Sequence, residues 1–105
     1  MASDEPRDPH PKEEKALERM GQFNRRRGLR REVLGRLYDS WFDLAGEPII
    51  LTGDEINGET ERKLAYRYLA EKGLLRMSPL GNGNFEVTIT VQGIDRIEMT
   101  TGENE

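Results

Sequence analysis

The sequence predicts an α+β fold in which helices come first, a β-hairpin follows and a short helix closes the domain. Three observations carry this expectation. Apolar residues between 29 and 45 recur at helical spacing. A capping box and a glycine stop then mark two further helices between 52 and 73. Beyond them Phe85, Val87, Ile89 and Val91 alternate with polar residues, after a turn rich in glycine and asparagine.

In chain order, residues 1–12 set Pro6, Pro9 and Pro11 among alternating charges. They bury too little to offset ordering entropy and are expected to form a disordered tail. In 13–28, Ala16, Leu17, Met20 and Phe23 fall at helical spacing, which predicts a short amphipathic helix and a basic arm. That helix would dock on the domain or on a second copy, although Gly21, Asn24 and Gly28 are poor helix formers. The folded domain is expected over 29–99. Leu29, Val33, Leu34, Leu37, Tyr38, Trp41, Phe42 and Ala45 lie on one face of its first helix, with Trp41 and Phe42 read as core. Gly46 and Pro48 stop that helix. The run from Pro48 to Leu51 suits a short extended segment or small strand. Thr52 and Glu55 match a capping box that opens a short helix ending near Gly58. Over Glu59–Lys72 the expected inward side is Leu64, Ala65, Tyr68 and Leu69, with Gly73 as the stop. Two extended segments flank the Ser78–Asn84 turn. Thr90 caps a last helix that turns Ile94 and Ile97 inward, and 100–105 is expected to be a disordered C-terminus.

Composition excludes whole classes of function. The chain has 105 residues, no cysteine, one histidine and a net charge of −4. Without cysteine there is no disulfide scaffold, thiolate zinc site, iron–sulfur cluster or cysteine nucleophile. The one histidine, His10, lies in a Pro- and charge-rich N-terminal stretch, which argues against a His-based triad or metal cage. The polar start MASDEPRDPHPKEE predicts no signal peptide, and no apolar run reaches the roughly 18 residues of a membrane span. The chain is expected to be soluble and cytoplasmic, and a binding module rather than an enzyme, with no cofactor or metal. Its charge is unevenly placed: five arginines crowd residues 25–31, and residues 62–76 hold five further cations.

A helix pair followed directly by a hairpin points to a helix-turn-helix with a wing. The run LAYRYLAEKGLLR, the Gly/Asn turn and VTITVQGIDRIE together resemble the winged-helix domains of small prokaryotic regulators, over about residues 29–99. The resemblance implies a winged helix-turn-helix with a three-helix core, a two-stranded wing and a short C-terminal helix behind a partly disordered N-terminal tail. It also implies a DNA-binding transcriptional regulator acting as a homodimer. One stretch departs from that arrangement: Gly46 to Glu59 is short for a full second helix.

Candidate contact residues follow. Opposite its expected inward side, the Glu59–Lys72 helix presents Glu59, Lys63, Tyr66, Arg67 and Ala70, with Arg62 at the edge. Lysine and arginine there can donate to phosphates or guanine edges, and Tyr66 can bond to or pack on sugar; the alternative is an ordinary solvated face. Arg25, Arg26, Arg27, Arg30 and Arg31 suit an arm that follows a phosphate backbone or enters a minor groove, or else a solvated linker paired with Glu13, Glu14 and Glu18. Asn82 and Asn84 in the hairpin turn can bond to phosphates, or serve only the turn's positive φ angles. The acids Asp39, Asp43, Glu47, Asp54, Glu55 and Glu59 read as dispersed solvated groups; a divalent-ion or basic-partner patch is the alternative. The expected partners are double-stranded DNA and a second copy joined through 13–28. The competing reading is a protein-interaction module on the same scaffold, favoured by the net charge and the uncharged turn.

Overall fold

The computed structural model describes residues 11–103 and has seven elements. Helix α1 spans Pro11–Asp43, strand β1 Ile49–Thr52, helix α2 Gly53–Asn57 and helix α3 Thr60–Glu71. Strand β2 spans Leu75–Pro79, strand β3 Asn84–Ile89 and helix α4 Val91–Glu103. The expected tail falls mostly outside the described residues, as does His10.

The N-terminal half differs most from expectation. No break separates an arm from the core helix: α1 is continuous for 33 residues through Gly21, Asn24 and Gly28. At about 1.5 Å per residue it is close to 50 Å long. Only its second half packs inward, where Val33, Leu34 and Leu37 are buried and Leu29, Tyr38 and Trp41 lean on the core. Phe42 was expected in the core but is 59% exposed, and Ala45 lies beyond the helix with a positive φ. The stop is as expected, with Gly46 at φ 85° donating its N–H to the Trp41 carbonyl at 2.7 Å.

The apolar run after Pro48 becomes a third strand, so the sheet is larger than the expected hairpin. It is antiparallel with order β1-β3-β2, Ile49 opposite Val87 and Met77 opposite Val87 from the other side. β1 is recruited because its Leu51 joins Val87, Ile89 and Leu75 in one buried layer. Its last residue also starts α2. The Thr52 hydroxyl accepts the Glu55 N–H at 3.1 Å, and the Glu55 carboxylate accepts the Thr52 N–H at 3.1 Å. The Thr52 backbone bond, helped by Arg36 at 3.6 Å, holds the Glu55 carboxyl below the usual carboxylate range.

Helix α3 ends as its sequence requires. Gly73 takes φ 76°, and Leu74 donates back to the Leu69 carbonyl at 2.9 Å. The hairpin turn uses Gly81 and Gly83, at φ 85° and 86°. Thr90 ties the last helix to the rest: its hydroxyl accepts the Gly93 N–H at 3.0 Å and donates to the Gly73 carbonyl at 2.6 Å. Helix α4 is longer than expected and runs on to Glu103. Ile94 and Ile97 lean inward, whereas Val91, expected to continue the strand face, is 68% exposed at the helix start. Among the described residues no helix is long and apolar enough to cross a membrane.

Candidate nucleic-acid interface

Helix α3 carries most of the candidate chemistry, and it is rotated from its expected orientation. The buried residues are Ala65, Tyr66 and Leu69; Leu64 is 49% and Tyr68 40% exposed. Tyr66 is therefore a core residue at 1% exposure and cannot meet a duplex. Burial, above all, pushes its phenol pKa up. Ala70 is half-buried against the same core. The reason is tertiary. α3 packs against α1, α2 and β2, and Ala65, Tyr66 and Leu69 are the residues it buries.

The rotation leaves Lys63 and Arg67 exposed, one turn apart on the outer face. They border a groove of about 370 Å³ that is floored by Ile56 of α2, Ala70 of α3, Met77 of β2 and Phe85 of β3. Among the described residues Lys63 enters no salt bridge, while Arg67 pairs with Glu71 at 3.0 Å. Both members of that pair are about 70% exposed, so water screens it and a stronger anion displaces Glu71 readily.

The other candidate cations divide by partner. Arg62 is held by Glu32 at 3.3 Å and Glu59 at 3.9 Å, pinning α3 to α1 and to its own start. Arg26 makes a bidentate pair with Glu61, at 2.9 and 3.0 Å. Those bonds lower the Glu61 carboxyl pKa, with Arg25 adding to the effect. Glu55 and Glu61 accordingly favour the fold above the unfolded carboxylate range, and that contribution fades as pH falls through their lowered values. Arg27 bonds Asn24 at 3.4 Å, and the Arg30 guanidinium stacks 4.0 Å over the Tyr68 ring. The five arginines thus sit on one continuous helix, and the acid that engages one of them is Glu61 of α3, on Arg26; among the described residues Glu14 and Glu18 enter no salt bridge with them.

Sequence reasoning missed Arg96. It comes from α4 to line one cleft of about 140 Å³ with Arg27, Arg30 and Arg31, over Leu34 and Ile97. No local signal marks it, because only the packing of α4 on α1 brings position 96 beside position 31. At the hairpin tip the Asn82 side chain accepts the Asn84 N–H at 3.0 Å, so it closes the turn. Asn84 itself begins β3 opposite Thr52. Among the described residues no group of acids or histidines is arranged to hold a metal ion.

Scans against protein-family models, curated proteins and solved structures find no match for this chain.

Proposed function

We propose that the chain is a winged helix-turn-helix protein that binds double-stranded DNA, a small transcriptional regulator working as a homodimer. The element order supports the scaffold: a helix, a strand, two helices and a hairpin, with the first strand added to the hairpin in the order β1-β3-β2. α2 and α3 form the helix pair and β2–β3 the wing. One observation carries the DNA reading. Lys63 and Arg67 stand one turn apart on the exposed face of α3, beside an open groove that ends at the hairpin. A single helix of this width fits a major groove. There Lys63 contacts phosphate, and Arg67, releasing Glu71, donates two parallel N–H bonds to phosphate or to guanine.

Titration of a labelled duplex with Lys63→Ala and Arg67→Ala tests this assignment. Each substitution is expected to weaken binding by about 1–3 kcal/mol where a base contact is lost, and by less for a phosphate contact. Affinity unchanged by both would show that α3 is not the reading element.

A protein-interaction module is the second reading, and a specific observation favours it. Leu64 presents apolar surface on the same helix, while the hairpin tip carries no cation. Duplex binding that is undetectable even at low salt would turn the assignment to that reading.

A further inference from the structure

The N-terminal half of α1 stands clear of the domain. From Glu14 to Gly28 every residue is exposed except the half-buried Gly21. A segment of this length, with two glycines and an asparagine, is marginal as a lone helix in water. It also presents Leu17, Met20 and Phe23 at 65%, 57% and 46% exposure. These are not scattered. Ala16, Met20, Phe23, Arg27, Arg30, Leu34 and Leu37 follow one another at alternating spacings of four and three, the repeat of a helix that packs along another helix. In the second half of α1 that stripe enters the chain's own core at Leu34 and Leu37; in the first half nothing among the described residues buries it.

We infer that this half of α1 pairs antiparallel with the same segment of a second copy, about a two-fold axis between Met20 and Phe23. The inference rests on the homodimer proposed above and specifies its joint. Charge selects the direction. Parallel helices would set the five arginines of residues 25–31 against the same five and bring both domains to one end. Antiparallel helices set Met20 against Phe23 and Arg27 against Ala16. Residues 25–31 then face residues 12–18, where three glutamates outnumber two lysines. The dense basic cluster is then one half of a complementary joint, and Lys63 and Arg67 remain free for the duplex.

The absence of cysteine makes the test direct. Ala16→Cys and Arg27→Cys, both at exposed positions, are mixed in equal amounts and oxidised. The expected product is the mixed 16–27 disulfide. The two position-16 residues of an antiparallel pair lie about 16 Å apart along the axis, beyond disulfide reach. The parent chain should sediment as a dimer at tens of micromolar, and Phe23→Glu should sediment as a monomer with the same unfolding midpoint for its domain. A 16–16 disulfide, a monomeric parent or a Phe23→Glu dimer would overturn the inference. Duplex binding measured on the same samples keeps the two proposals apart. A 16–27 crosslinked protein that ignores DNA sinks the regulator reading and upholds the joint. A monomer that binds duplex does the reverse.

Discussion

Tyr66→Ala should leave the domain barely folded. Tyr66 is the largest of the fully buried side chains among the described residues, and it belongs to one core cluster with Leu37 of α1, Leu51 of β1 and Ile56 of α2. Truncating an aromatic ring in such a site costs about 3–5 kcal/mol, through lost transfer energy and the cavity left behind. A small domain has only about 5–15 kcal/mol in total. Urea unfolding of the variant should therefore show a midpoint shifted far towards zero, with little change in slope. Tyr66→Phe keeps the ring and removes only the hydroxyl, a cost of about 1 kcal/mol. It should also bind duplex like the parent. A Tyr66→Phe protein that is stable but deficient in DNA binding would return Tyr66 to the recognition surface and refute its place in the core.

Gly93→Ala is expected to be nearly as damaging, against the ordinary preference of helices for alanine. Gly93 is buried in the first turn of α4, where its N–H bonds the Thr90 hydroxyl. A Cβ there would run into the Leu74 carbonyl oxygen and come within 2.7 Å of an Ile89 side-chain carbon. The Leu74 oxygen belongs to backbone and already accepts the Thr90 N–H at 3.0 Å, so no rotamer change relieves the clash. Helix propensity would reward the change by at most about 1 kcal/mol. Overpacking against fixed backbone costs about 3 kcal/mol and should win. Thermal unfolding decides between them: a lowered midpoint fits the close approach of α4 to Leu74, and a raised one contradicts it. Gly28→Ala is the natural control, since nothing lies within 4 Å of a Cβ at Gly28.

What could be read in advance was local. The Thr52–Glu55 box, the Gly73 stop, the glycine turn and the Thr90 cap each act within a few residues, and each stands where the sequence placed it. The face of α3 was not legible in the same way. In LAYRYLAEKG two completions of the expected Ala65 and Leu69 stripe fit a helix about equally, one by Leu64 and Tyr68, the other by Tyr66. Packing against three other elements chooses the second. The helix through Gly21, Asn24 and Gly28 was concealed because single poor helix formers are outvoted by their neighbours when the helix is already anchored at one end. The ion pairs that occupy Arg26 and Arg62 span 35 and 30 residues, and no spacing rule foretells them.

We propose that the outer face of α3 holds duplex DNA, although the chain as a whole is acidic. An overall charge of −4 says little about this, because affinity for a duplex depends on the cations that reach phosphate. The most direct test is a labelled random-sequence duplex titrated with the full chain at about 50 mM and about 200 mM salt. Binding at the lower salt that falls on the order of tenfold to a hundredfold at the higher is the predicted result, reflecting counterion release at a few phosphates. No binding at the lower salt, or binding indifferent to salt, would contradict it.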